Sequence, residues 1–221
     1  GCGLAIENTM ILHSPEVKEK LEALGIPVLV ERSSYETHPL GRLEWIRLYG
    51  VLFGKEEQAD AFYQEQVAKV EPIMKKDATD QTMAFFYVTS NGSVNVRKPG
   101  DYIAKMIQLA GGSYLPQAVK EDDENALSTM NMQMEDFYAQ AKDADILIYN
   151  STIEGELDSV DTLLAKSPLF ADFKAVKEGK VYCTTADFFQ ETTGIASFIE
   201  DLHAVMTGDT SHELKYLKEV K

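Results

Sequence analysis

Residues 40–76 read LGRLEWIRLYGVLFGKEEQADAFYQEQVAKVEPIMKK, and no strand pattern interrupts them. Leu43, Ile46, Leu48, Val51 and Leu52 recur at roughly helical spacing, with Trp45 and Tyr49 widening the apolar face. Pro39 and Gly41 mark the start of this helix. Gly54 suits the position just past a helix end, where the chain turns left-handed. A second helix then restarts with Glu56 and Glu57 in its first turn and Lys75 and Lys76 in its last, as the helix dipole prefers. Ala59, Phe62, Val67, Val70 and Ile73 form its apolar stripe. At 1.5 Å per residue, about 20 residues give a helix about 30 Å long. The segment therefore predicts a packing helix followed by a long connecting spine.

Both flanks alternate between strand and helix patterns. Upstream, GCGLAI reads as the end of a buried strand and ENTM as a loop. SPEVKEKLEALGI follows as a helix, with Ser14 as N-cap, Pro15 at the first helical position and Gly25 past the end. PVLVE is a short strand and RSSYETHP a polar loop. A strand-helix-strand unit of this kind implies a parallel pair with a right-handed crossover.

Downstream, MAFFYVTS is a buried strand and NGSVNVRKPGD a polar loop or hairpin. DYIAKMIQLAGG is a helix capped by Asp101 and stopped by Gly111 and Gly112. Residues 113–132 read as irregular, with an acidic run from Glu121 to Glu124 expected to be a solvated loop. MEDFYAQAKDA is helical, DILIYNST a strand and loop, SVDTLLAKSPLF helical, and VYCTT a strand. A last helix, IASFIEDLHAVMTG, precedes a charged tail. The fold class expected is α/β. Two lobes of parallel β/α units are joined by a long helix, and the first lobe is incomplete: 1–54 the C-terminal part of an N-lobe, 55–78 the spine, 79–221 the C-lobe.

Composition narrows the function. The 221 residues carry a formal charge of −15, and 44% are hydrophobic, enough for a packed core. Phosphate neutralisation needs clustered Lys and Arg, so this chain is not expected to bind nucleic acid. Cys2 and Cys183 form no CxxC or Cys/His spacing, and the four histidines show no paired ligand spacing, so no metal site is expected. No apolar run reaches the roughly 18 residues of a membrane span, and no signal peptide pattern is present. Gly-Cys at the start could mark a lipoprotein cleavage site, but apolar residues follow at once, so the start reads as the interior of a domain. The glycines in LAGGSY lie at a helix end and cap it; GxGxxG, GxxxxGK[ST] and GxSxG are absent.

Five stretches together resemble the solute-binding proteins of ABC importers for iron–siderophore, haem and cobalamin. They are KEKLEALGIPVLVE, LYGVLFGKEEQADAF, MIQLAGGSYL, DADILIYN and FKAVKEGKVYCTTADFF, in the family's order. The resemblance covers residues 4–207 and implies two α/β lobes on one helical spine, with further N-lobe residues before Cys2. It implies an extracytoplasmic or lipid-anchored protein that binds a ferric siderophore, haem or corrinoid between its lobes. The ligand would then pass to a membrane permease, and so indirectly to its ATPase. No intrinsic cofactor and no catalytic residue are expected. The alternative is a two-lobed α/β enzyme acting on a nucleotide or sugar; a purely structural interaction domain is the third reading.

Ligands of open parallel sheets sit at strand carboxyl ends. The loops so placed supply the candidate ligand residues Glu7, Arg32, Tyr35, Asn95, Arg97, Ser151, Asp187 and Phe188. Arg97 leads, because a planar guanidinium offers bidentate donors to the anionic groups of chelates and haem. Arg32 could contact an anion or pair with Glu31 or Glu36, Tyr35 could stack on a chelate, and Glu7 could face ligand or cap the next helix. Of Phe188 and Phe189, adjacent in sequence, one at most should line an apolar wall. By resemblance, Glu135 and Asp136 would dock onto permease arginines; their bland role is to favour a helix N-terminus. Met130, Met132 and Met134 are expected to pack loosely.

Overall fold

The computed structural model describes residues 1–117, 129–188 and 191–221. Its chain divides into two units, Gly1–Glu36 and Thr37–Lys221. The boundary falls before the helical segment, so both helices of residues 39–74 count with the second unit.

In the first unit, β1 (Ala5–Glu7) pairs in parallel with β2 (Val28–Val30), Ala5 opposite Val28 and Glu7 opposite Val30. The crossover is α1 (Pro15–Ala23), with Pro15 in its first turn and Gly25 at φ 75° beyond its end. The loop expected after β1 winds into a 3-10 turn, Thr9–His13, because the Asn8 side chain accepts the Met10 amide at 2.8 Å.

The second unit begins with α2 (Pro39–Phe53) and α3 (Glu56–Met74). The His38 ring opens α2 by accepting the Leu40 amide at 3.2 Å. Burial and the nearby Lys105 lower the pKa of His38, which keeps the ring nitrogen free to accept. Gly54, at φ 62°, reverses the chain between the helices as the sequence predicts. They approach closely where Gly50 meets Ala59, and Arg47 ties them together by pairing with both Glu44 and Asp60.

Next comes the sheet: β3 (Thr82–Val88), β4 (Val94–Arg97), β5 (Ser113–Leu115), β6 (Thr129–Met132), β7 (Ile146–Tyr149), β8 (Val181–Thr184) and β9 (Leu217–Glu219). Its order is β6-β4-β3-β7-β8-β9, with β5 also on β3. The strands β5, β3, β7 and β8 are parallel; β4 runs antiparallel to β3, β6 antiparallel to β4, and β9 antiparallel to β8. Covered on both faces, β3 is almost wholly apolar. Met83 and Phe85 enter one core with α2, α3, α4 (Tyr102–Leu109) and α9 (Ile195–Thr207). Ala84, Phe86 and Val88 enter the other with α5 (Met134–Ala141), α7 (Val160–Lys166) and α8 (Lys174–Lys177). There Phe86, Phe137, Phe170 and Phe173 form a chain of ring contacts.

Three strands escape the sequence pattern. The irregular reading of residues 113–132 hides β5 and β6, and the charged tail hides β9. The last is held by pairing with β8 and by Asp201, which is fully buried on α9. One Asp201 oxygen accepts the amides of Lys215, Tyr216 and Leu217 at 2.6–3.1 Å, and the other faces His212 at 2.7 Å. In the middle of the sheet, just before β7, Asp145 receives the amide and hydroxyl of Thr82 at the start of β3 and the Lys174 ammonium. Burial pushes the Asp145 carboxyl up, but those three donors outweigh it and hold it below the usual carboxylate range. Met132 and Met134 are buried and Met130 partly so, all in the second core, tighter than the loose packing expected. Both cysteines are free, Cys2 exposed and Cys183 buried.

Candidate functional site

Arg97 was expected on a loop, and the structure puts it on β4 instead. Val94 and Val96 point into a core while Asn95 and Arg97 alternate to the other face, the two-residue period of a strand. Antiparallel pairing, with Phe86 opposite Val96, carries Arg97 back alongside the middle of β3 rather than out to its carboxyl end. Asn95 donates to the Asn131 side chain on β6 at 2.7 Å.

Arg97 is held on several sides. The Tyr114 hydroxyl donates to its carbonyl oxygen at 2.7 Å, and burial keeps that phenol protonated by pushing its pKa up. Its guanidinium lies 3.7 Å from the Asp101 carboxylate, with Arg97 16% and Asp101 1% exposed in their side chains. It also lies 5.9 Å from the ring centres of Phe85 and Tyr102. Asp101 divides its oxygens: Oδ1 caps α4 by accepting the Ile103 amide at 2.9 Å, and Oδ2 faces Arg97. Burial raises the Asp101 pKa, against the opposing pull of Arg97, the capping amide and Arg42.

Sequence reading missed Arg42. It sits in the first turns of α2, and its guanidinium stacks 3.7 Å from the centre of the Tyr102 ring. Two arginines, one carboxylate and one phenol ring thus meet at the start of α4. Only packing of α2 on α4 brings residues 42 and 102 together, and no local motif announces it.

A second group forms where the parallel strands β7 and β8 end. Ser151 follows β7 in the short helix α6 (Ser151–Glu154), and its amide donates to the Thr184 hydroxyl at 2.9 Å. The hydroxyls of Ser151 and Thr185 are buried, and among the described residues neither has a hydrogen-bond partner. Asp187 is exposed in the next turn, which is anchored by Glu156 accepting the Ala186 amide at 3.2 Å.

Phe188 does not form the expected wall. It is 7% exposed, its ring tilted against Phe198 at 4.1 Å and against Tyr216 at 5.7 Å between centres, because the turn after β8 folds it over α9. Phe189 and the run Glu121–Glu124 lie outside the described residues.

In the first unit, Glu7 ends β1 half-buried, Arg32 follows β2 exposed, and Tyr35 closes a 3-10 turn with 55% exposure. Glu31 caps that turn by accepting the Ser33 amide at 2.6 Å. Glu135 and Asp136 are exposed in the first turn of α5. Among the described residues, no cluster of His, Cys, Asp or Glu suits a metal ion, and no helix is long and apolar enough to cross a membrane.

Comparison with known proteins extends this picture. The profile of the periplasmic binding protein family matches residues 7–188. An uncharacterised lipoprotein of Methanocaldococcus jannaschii is 28% identical over 174 residues, 77% of this chain and 40% of its own length. A second from the same organism is 27% identical over 216 residues, 93% of this chain and 53% of its own. The chain thus spans about half the length of these curated relatives. The periplasmic haem-binding protein HutB of Vibrio cholerae shares the fold, with a TM-score of 0.70 at 16% identity over 90% of this chain and 76% of its own. A protein of the Fe3+-hydroxamate transport system of Saccharomonospora viridis has a TM-score of 0.66 at 21% identity, covering 85% and 64%.

Proposed function

We propose a function from one premise: this chain belongs to the periplasmic binding protein family. It is the solute-binding part of an ABC importer, working outside the cytoplasm, and it binds an iron chelate, haem or a related cofactor for delivery to a membrane permease. The family match across residues 7–188 carries this reading. Proteins of the same fold named for haem and Fe3+-hydroxamate support the ligand class, and the two relatives named lipoproteins support the location.

The work is binding and release. Arg97 supplies a fixed cation, Asn95 a polar neighbour on the same strand face, and Ser151 and Asp187 polar groups at the strand ends. Glu7, Arg32 and Tyr35, after β1 and β2, are the contacts proposed for the first unit. Glu135 and Asp136 present negative charge at an exposed helix start, suited to arginines of a permease. The test is a fluorescence titration with a ferric hydroxamate, a ferric catecholate, haem and a corrinoid. Saturable quenching by one of them supports the reading. Failure of all four contradicts it, and turnover of a nucleotide or sugar would assign an enzyme instead.

A further inference from the structure

From Thr184 to Phe188, the end of β8 and the turn after it are fixed at every residue but one. The Thr184 hydroxyl accepts the Ser151 amide at 2.9 Å, and the Thr185 amide donates to the Tyr216 carbonyl oxygen at 3.0 Å. Phe188 closes the turn, with its amide on the Thr185 carbonyl oxygen at 3.3 Å and its ring buried against Phe198. The Ala186 amide donates to Glu156 Oε1 at 3.2 Å. The other oxygen of that carboxylate, Oε2, accepts from the Lys218 ammonium on β9, also at 3.2 Å. Glu156 is itself held in place: its neighbour Leu157 is 2% exposed in the second core, and Gly155 at φ 85° turns the chain just before it. The turn after β8, the strand β9 and the connector between α6 and α7 therefore meet on one carboxylate. Asp187 is the exception in the turn. It is exposed, and among the described residues its side chain has no partner.

We propose that Glu156 is a positioning residue: by clamping the Ala186 amide and Lys218, it presents Asp187 to the ligand in a fixed place. This rests on the solute-binding reading, in which Asp187 touches ligand, and it adds the kind of group met there. A carboxylate accepts and does not donate, so that group is a hydroxyl, an amide N–H or an ammonium. Lys218 balances the charge of Glu156, so the clamp adds little repulsion of its own beside Asp187. A turn ordered on folding need not be ordered again on binding, which is how a clamp that touches no ligand raises affinity.

The test is a double-mutant cycle on the intact protein, read with whichever of the ferric hydroxamate, ferric catecholate, haem and corrinoid binds. Glu156→Ala and Asp187→Asn should each weaken binding about tenfold, and the two together about as much as one alone. Glu156→Gln keeps an acceptor for the Ala186 amide and loses the charge that holds Lys218, so it should weaken binding by no more than about threefold. Losses that add fully overturn the proposal, as does either single variant that folds and binds as tightly as the unaltered protein. Without ligand, amide exchange at Ala186 should quicken about tenfold in Glu156→Ala while the amides of β8 keep their protection. If none of the four ligands binds, the solute-binding reading is contradicted and this exchange decides the clamp alone: quickened exchange upholds it and unchanged exchange overturns it. Should Glu156→Ala fail to fold, Lys218→Met takes its place in both measurements. Effects of about threefold are then expected, and no effect in either overturns the clamp.

Discussion

Gly50 on α2 and Ala59 on α3 pack so tightly that a Cβ on Gly50 would lie 2.6 Å from the Ala59 Cβ. The same Cβ would meet the Lys55 carbonyl oxygen at 3.2 Å, so backbone as well as side chain blocks it. Alanine is worth roughly 1 kcal/mol more than glycine in an open helix. Here Gly50→Ala should instead destabilise, by about 1–3 kcal/mol as overpacked cores do. Urea unfolding checks this: the midpoint should fall, and a rise would mean that the helices separate freely.

Asp145 predicts an acid-sensitive joint between β3, β7 and α8. Its carboxyl is held below the ordinary value, so it contributes stability present above the unfolded pKa of about 4. That contribution is lost as the pH falls through the lower folded value. Removing the acceptor of charge-assisted bonds by Asp145→Ala should cost about 2 kcal/mol at pH 7. The gap between variant and unaltered protein should narrow below pH 4, as read from melting curves across pH.

Asp201 should hold the last strand. With Asp201→Ala, three amides and His212 lose their shared acceptor, a loss of about 3 kcal/mol for a buried network of this kind. Hydrogen exchange should show β9 losing protection first, while β3 and β7 stay protected.

Phe188 separates packing from binding. Phe188→Ala should cost about 3–4 kcal/mol through the cavity it leaves against Phe198. Affinity of the folded fraction for ligand should be unchanged. A large loss of affinity without a loss of stability would restore Phe188 to the ligand wall.

Much of the fold was legible because it is written locally. Gly54, the acids and lysines flanking the second helix and the near-continuous apolar run of β3 each declare their element within a few residues. The strands that went unread depend on partners far away: β9 exists because Asp201 gathers its amides, and β6 because Asn131 and Met132 pair with β4. The site divides the same way. Ser151 and Asp187 follow from the rule that loops leave parallel strands at one end. Arg97 was singled out for its chemistry but expected on a loop, since no local signal shows the antiparallel hairpin that carries it back along β3. Arg42 was missed because its meeting with Tyr102 arises only from packing between α2 and α4.

The most direct measurement is a stoichiometric titration with recovery of the ligand. The protein is mixed with haem, a ferric siderophore or a corrinoid, followed by visible absorbance, then unfolded so that the ligand can be identified by mass spectrometry. A solute-binding protein should saturate at one ligand per chain and return it chemically unchanged. Absence of saturation with every ligand, or recovery of an altered product, would contradict a function of binding and delivery.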